Sequence, residues 1–341
     1  MSFFSKDIGI DLGTANTLVA IKGDGIVISE PSVVAIDIYN NTVLAVGKDA
    51  KDMIGKTPSN IQAIRPLKAG VIADFNVTQK MLEYFIKKAL KANFFIFKPR
   101  IVIGVPSDVT EVEKRAVIEA ALSAGAKKAL LLEEPMAAAI GAGLDVSLPS
   151  GNMVVDIGGG TSEIAVISLG GIVTSRSIRV GGDDLDSSIE HYVRKKYSLS
   201  IGQRTSEKIK INIGSAFSIE DKKMDITGRN LVNGLPRTLT VDSNEIREAI
   251  SIPVKSIVDA IKLTLENTPP ELASDIMLKG IMLAGGGALL KGLDKLIGKE
   301  TGMPVFISED PLDSVVKGTE KALEHYKVLQ NVFISSQNLR R

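Results

Sequence analysis

The chain has 341 residues, 44% hydrophobic and 24% charged, with a formal net charge of +1. That is the composition of a globular chain long enough for two domains, with no overall electrostatic drive towards nucleic acid. With no cysteine, and with only His191 and His325, disulfides, thiol nucleophiles, thiolate metal sites and multi-histidine metal sites are excluded.

Met1 to Lys6 is too short for a signal peptide before strand pattern begins, and no apolar run reaches the ~18 residues of a membrane-spanning helix. Ile8 to Ala20 reads as strand, glycine turn, strand, with Asp11-Leu12-Gly13-Thr14-Ala15-Asn16-Thr17 at the turn. Short strands follow over Val33–Ile36 and Val43–Val46, with a turn at Asn40-Asn41 and a short helix over Lys48–Ile54. Arg65 to Asp74 is irregular and reads as a return crossing, so 32–73 forms a small insertion.

Thr78 to Ala92 is amphipathic at helical spacing through Met81, Leu82, Phe85, Ile86, Ala89 and Leu90. Arg100–Val105 is a buried strand, and Ser107 or Asp108 can cap a helix over Glu111–Ala124. Ala129–Leu132 is the next strand, and Pro135 suits the first turn of the helix after it.

Residues 153–168 repeat the opening plan. Val154-Val155-Asp156-Ile157-Gly158-Gly159-Gly160-Thr161-Ser162-Glu163 places an Asp at a strand end before a glycine turn, as Asp11 stands before Gly13. Bare backbone N–H groups curved around one point bind anions, and three glycines leave that backbone free to take positive φ. An adjacent Asp suits the hydration shell of Mg²⁺. Two such hairpins in one chain imply a duplicated fold gripping one polyphosphate from both sides. The single strand-to-helix glycine loops of Rossmann and Walker A proteins are absent.

The second half continues with a strand to Arg179, then a helix opened by Gly181-Gly182-Asp183-Asp184. An insertion over about 183–249 holds a helix from Glu207 to Ile213 and strands such as Leu239–Val241. Ser243-Asn244-Glu245 can cap a long helix over Ile246–Glu266. Gly280–Ala284 reads as strand, Gly285-Gly286-Gly287 as loop, Ala288–Ile297 as helix, Pro304–Ile307 as strand and Pro311 to about Tyr326 as helix. Both halves therefore end in strand–helix–strand–helix.

With these motifs in this order, the chain resembles the actin-like ATPase superfamily and, within it, the MreB family, over essentially its whole length. Asp11 to Thr17, Glu133-Glu134-Pro135-Met136-Ala137-Ala138-Ala139, Asp156 to Thr161, Gly181-Gly182 and Leu283-Ala284-Gly285-Gly286-Gly287 carry the resemblance. It implies an α/β actin-like fold: duplicated ribonuclease H-like lobes, each a mixed five-stranded sheet flanked by helices, with two small insertions. The expected division is 1–32, 74–144 and 312–341 for subdomain IA and 33–73 for IB. The second lobe is expected at 145–182 and 250–311 for IIA and 183–249 for IIB.

The resemblance implies ATP or ADP with Mg²⁺ as ligands. Gly13, Thr14, Ala15, Asn16, Gly158, Gly159 and Gly160 are expected on the phosphates and Asp11 and Asp156 on the metal. Glu134 and Thr161 are expected to position the attacking water, with Glu133 as the neighbouring carboxylate. Glu207, Lys208, Ile209 and Lys210 are expected on one side of the nucleoside. Gly285, Gly286, Gly287, Ala288 and Leu289 are expected on the other. No lysine stands in the first hairpin, where eukaryotic actin has a phosphate-contacting one. Gln203 and Ala69 stand where the family often has acids.

Asn93-Phe94-Phe95-Ile96-Phe97-Lys98 gathers three of ten phenylalanines, flanked by Lys87, Lys88, Lys91, Lys98 and Arg100. Apolar aromatics ringed by cations suit an anionic membrane surface. The family resemblance adds an apolar membrane loop here, formed by Phe94, Phe95, Ile96 and Phe97, with Phe3 and Phe4 able to add to it. The implied function is an ATPase that forms filaments by self-assembly, cytoplasmic and peripheral at the inner face of the membrane. There it would act with the cell-wall elongation machinery to set rod shape. A small-molecule kinase of sugar or acetate type on the same fold is the alternative. A chaperone-type ATPase is a third reading, lacking here a substrate-binding module after Asn338-Leu339-Arg340-Arg341. No nucleic-acid partner is expected.

Overall fold

The computed structural model describes residues 6–68, 70–90, 98–218 and 221–335. Chain order begins with β1 (Ile8–Leu12), β2 (Asn16–Ile21) and β3 (Gly25–Pro31). An insertion follows with β4 (Val34–Asp37), β5 (Thr42–Val46), α1 (Lys48–Met53), β6 (Ile61–Ile64), β7 (Leu67–Lys68) and β8 (Val71–Ile72). The chain returns through α2 (Phe75–Leu90), β9 (Arg100–Val105), α3 (Glu111–Ser123), β10 (Lys128–Glu133) and α4 (Glu134–Gly141).

The second lobe opens with β11 (Asn152–Ile157), β12 (Ser162–Ser168), β13 (Gly171–Ile178) and α5 (Gly182–Tyr197). Its insertion holds β14 (Leu199–Ser200), α6 (Gln203–Ile213), β15 (Lys223–Asn230), β16 (Pro236–Asp242) and α7 (Ser243–Ala249). The lobe closes with α8 (Ser251–Glu266), α9 (Pro270–Lys279), β17 (Ile281–Ala284), α10 (Leu293–Thr301) and β18 (Val305–Ile307), and the chain then returns to the first lobe with α11 (Ser314–Glu324), packed on α4 and β1, and β19 (Phe333–Ser335).

Two mixed sheets organise the molecule, ordered β19-β10-β9-β1-β2-β3 and β13-β12-β11-β17-β18. Their central strands are buried on both faces, which is why they read as continuous apolar runs. In the first sheet Ile101 and Ile103 pack under α2 and α3, while Val102, Leu130 and Leu132 face α4. That second face continues into the other lobe through Val154, Ala165, Ile167 and Ala284, so one apolar cluster is shared. Gly141 of α4 and Gly318 of α11 lie against backbone of the opposite helix, at Ser314 and Ala137. Side chains there would push the two helices apart.

The hairpins match strand for strand. In the first, Asp11 pairs with Leu18 across β2 and with Gly104 on parallel β9. In the second, Asp156 pairs with Glu163 across β12 and with Ala284 on parallel β17. Each Asp therefore ends the same topological strand of its sheet, at the carboxyl edge where open α/β sheets bind ligands.

Several local expectations are corrected. The first sheet has six strands, because β19 pairs antiparallel with β10 and Phe333 buries itself in a stack on Tyr326. The α3 cap is Thr110, in a capping box with Glu113, not Ser107 or Asp108. The long helix after residue 245 is two helices, α7 and α8, and Asp242 caps the first. The segment read as one helix from Ala288 is a 3₁₀ turn at Gly286–Leu289 followed by α10, interrupted where Gly292 takes φ 73°. Helix α9 had no expectation attached to it.

Candidate active site

The two hairpin turns meet between the lobes. A methyl group on Gly159 would stand 2.6 Å from Cβ of Ala15, so only glycine lets the loops approach this closely. The expected positive φ is not found: Gly13, Gly158, Gly159 and Gly160 all lie outside the left-handed region. Their value here is the missing Cβ.

Hydrogen bonds fix which way each loop presents its amides. Ser32 Oγ donates to the Gly13 carbonyl at 2.6 Å and Ser32 N to the Ala15 carbonyl at 3.0 Å. In a planar trans peptide the next N–H points opposite the carbonyl, so Thr14 and Asn16 turn their amides away from Ser32. The second loop uses backbone for the same purpose. Gly182 N and Asp183 N, at the start of α5, donate to the carbonyls of Gly158 (3.0 Å) and Gly159 (2.8 Å). That leaves the amides of Gly159 and Gly160 directed away from α5. The Gly158 amide closes the turn on the Thr161 carbonyl at 2.9 Å, so it is not a free donor as expected. Thr14 Oγ1 accepts from Gly70 N at 3.1 Å and is thereby held at the cleft wall.

The loops line a cleft of about 360 Å³, large enough for a nucleotide-sized ligand. Asp11, Glu134, Asp156 and Thr161 all line it together with Gly13 to Asn16 and Gly158 to Gly160. Glu207, Lys210, Gly285, Gly286, Gly287 and Leu289 line it too. Three expected residues do not. Along α6, Glu207, Lys210, Ile211 and Gly214 share the cleft face, which turns Lys208 out to solvent and Ile209 into the second core. Ala288 is likewise buried in that core. Glu133, one residue before α4, is outside the cleft lining. Gln203 is exposed at the start of α6, and Ala69 lies outside the described residues.

The cleft floor is strongly acidic. Burial, and then Asp313, push Asp11 up to about 7. Burial, then Asp11 and Glu163, hold Asp156 well above the ordinary carboxylate range. Glu134 is raised in the same direction by burial first and Glu163 second. This floor repels a polyphosphate unless a cation lies between them. Two carboxylates at matched strand ends are hard oxygen donors, which suits Mg²⁺. Among the described residues no cluster of three or more acidic or histidine side chains could complete a metal site alone. Phosphate oxygens and waters would have to fill the remaining positions.

Side chains the motifs did not announce complete the cleft. Arg65 pairs with Asp183 at 2.7 Å and Lys51 with Glu207 at 3.4 Å, joining the two insertions across the mouth. Arg204 and Asp52 add a third pair at 3.3 Å. These partners are far apart in sequence, so no local signal marks them. Lys210 Nζ sits 2.9 Å from Asp186 and donates to the Gly182 carbonyl. Burial pushes Asp186 up to about 6 despite that lysine. Ile211, Leu289 and Leu312 stay more than half exposed on the cleft wall, an apolar surface suited to a flat heterocycle.

A family model described as MreB/Mbl protein matches residues 5–331. The chain belongs to the MreB/Mbl family. It is 55% identical over 326 residues to the cell shape-determining protein MreB of Escherichia coli (strain K12), covering 94% of each chain. It is 53% identical to the cell shape-determining protein Mbl of Bacillus subtilis (strain 168), covering 94% of this chain and 97% of that one. Among solved structures, MreB5 of Spiroplasma citri bound to ADP superposes with a TM-score of 0.90 at 40% identity, covering 96% of this chain and 98% of that one. The MamK double helical filament superposes at 0.80 with 21% identity over 93% of this chain and 98% of that one, which speaks to the fold. The fold is the actin-like ATPase fold, as the family resemblance implied.

Phe94, Phe95, Ile96 and Phe97, with Phe3 and Phe4, lie outside the described residues. Of the flanking cations, Lys87 pairs with Glu83, Lys88 with Glu30 and Arg100 with Asp7. Their net pull on an anionic surface is therefore smaller than a count of basic residues suggests. No described helix is long and apolar enough to cross a membrane.

Proposed function

We propose that this MreB/Mbl family member binds ATP and ADP with Mg²⁺ between its lobes, hydrolyses ATP, and couples the nucleotide state to filament assembly. The filaments would lie on the inner face of the cytoplasmic membrane and direct cell-wall synthesis and rod shape with the elongation machinery. The observation that carries this reading is the contact of Ala15 with Gly159 above Asp11 and Asp156, two phosphate-type loops on one acidic floor. It is supported by the structures of Spiroplasma citri MreB5 bound to ADP and to AMPPNP, and by relatives named cell shape-determining proteins.

In this mechanism the amides of Thr14, Asn16, Gly159 and Gly160 hold phosphate oxygens, which is most of what phosphoryl transfer asks of a protein. Asp11 and Asp156 hold the cation through oxygen donors. Mg²⁺, when bound, offsets the charge that builds on the phosphates. Glu134, at the N-terminus of α4, orients the attacking water, and its raised proton affinity suits it to take the water's proton. Thr161 steadies the same water from the opposite lobe. Lys210, Glu207 and the apolar wall of Ile211, Leu289 and Leu312 take the nucleoside.

Filament formation and hydrolysis are separable by experiment. Wild-type protein sediments at high speed with ATP and Mg²⁺ and releases phosphate. Glu134→Ala binds ATP with similar affinity and hydrolyses it on the order of 10²-fold more slowly. Unchanged turnover would remove Glu134 from the mechanism. A monomer that transfers phosphate to a small molecule would instead favour a kinase. Membrane binding rests on the loop sequence: Phe94→Ser with Phe95→Ser abolishes pelleting with anionic liposomes while phosphate release persists, and undiminished pelleting would exclude the loop.

A further inference from the structure

Glu163 is a charged residue in the middle of a core strand. It is 1% exposed on β12, directly across from Asp156, and it does not line the cleft. Its carboxylate accepts three hydrogen bonds from neutral donors. Ser107 N (3.1 Å) and Ser107 Oγ (2.5 Å) reach one oxygen, and Ser177 Oγ reaches the other.

These donors come from different lobes. Ser177 is on β13, beside Glu163 in the second sheet. Ser107 belongs to the first lobe, two residues beyond the end of β9, where Val105 pairs with Glu133 just before Glu134. The neighbouring Pro106 and Thr161 both stand against Gly70, at 2.8 Å and 3.0 Å from where its Cβ would be. The link from Ser107 to Glu163 thus crosses between the lobes beside the corner where Thr161 and Glu134 line the cleft. A strand that needed only to fill a core would carry an apolar side chain here, as the first hairpin does with Leu18 at the matching register position. Burying a carboxylate is costly even with its hydrogen bonds made, so its presence points to a role other than packing.

We propose that Glu163 is a positioning residue for hydrolysis. It ties the Pro106–Ser107 turn of the first lobe to the strand that carries Thr161. That tie fixes Thr161 relative to Glu134, so that both address one water. The inference rests on the hydrolytic function proposed above. Glu163 itself does not line the cleft.

The test measures ATP affinity, steady-state phosphate release and thermal stability for wild type, Ser107→Ala, Ser177→Ala, Glu163→Leu and the Ser107→Ala/Glu163→Leu pair. Glu163→Leu, which keeps the bulk and removes both acceptor oxygens, lowers kcat by about 10-fold or more and Ser107→Ala by about 3- to 10-fold, while KM and ATP affinity stay within about 2-fold. The pair is no slower than Glu163→Leu alone, because both changes cut one link. Ser177→Ala, which removes a similar bond inside one lobe, lowers kcat less than Ser107→Ala. Unchanged kcat in Ser107→Ala overturns the proposal, and so does a Ser177→Ala effect as large as that of Ser107→Ala. A fall in kcat matched by lost affinity and lost thermal stability marks Glu163 as merely structural. If Glu163→Leu does not fold, the two serine variants decide. Wild type that binds ATP and releases no phosphate refutes the hydrolytic reading instead.

Discussion

The two glycine hairpins share a backbone and differ in what faces the Asp across the hairpin. Asp11 faces Leu18, and Asp156 faces Glu163. Behind the first loop, Ser32 holds two carbonyls and Gly70 holds the Thr14 hydroxyl. Behind the second, α5 holds two carbonyls and a buried carboxylate reaches back to the other lobe. Duplication supplied two equivalent grips. Their difference lies in side chains, which give the second hairpin a link to the corner where Thr161 and Glu134 line the cleft.

The comparison can be broken most severely at the point where the loops touch. Gly159→Val drives a branched side chain into Ala15 and separates the grips. Nucleotide affinity measured by calorimetry falls on the order of 100-fold, and affinity near wild type would show that the loops need not meet. The asymmetry itself is sharpened by Leu18→Glu, which gives the first hairpin the carboxylate of the second without its serine donors. Leu18 packs with Ala20 and Val316, so the new charge is buried unpaired and unfolding free energy drops by about 3–5 kcal/mol. A denaturant midpoint close to wild type would mean that donors are available there after all.

The smallest effect is on pH dependence. Asp11 has a folded pKa of about 7 against an ordinary 3.8, so the folded state binds its proton more tightly than the unfolded chain. The stability it contributes is full below its ordinary pKa and is lost as pH rises through about 7. Ligand-free protein therefore melts lower at pH 8 than at pH 5.5, by a few degrees. Asp11→Asn reduces that difference, and an identical difference in the variant would place the titration elsewhere, for instance at Asp156 or Glu134.

Much of the site was legible because its chemistry is local. Asp11, Gly13 to Asn16, Asp156 and Gly158 to Thr161 each belong to one strand–turn unit, and the turn brings loop and Asp together without help from distant residues. Glu134 was singled out by the family resemblance, as the residue before Pro135 in the first turn of α4. Lys208 and Ile209 were misplaced because a charged run says nothing about helical phase. The core under α6 sets that phase, and it takes Ile209 and leaves Lys208 outside. Ser107 read as a cap and is instead the partner of Glu163, 56 residues away.

Sequence alone determined the duplicated hairpins, the residues at their turns and most of the strands and helices, though not α9, β19 or the break between α7 and α8. Those features follow from hydrophobic period and from glycine, which act over a few residues. Tertiary structure decided the contact of Ala15 with Gly159, the bridges of Arg65 and Lys51 across the cleft mouth, and the bond from Ser107 to Glu163. Each joins segments brought together only when the lobes pack through their shared apolar cluster, so no window of the chain contains both partners.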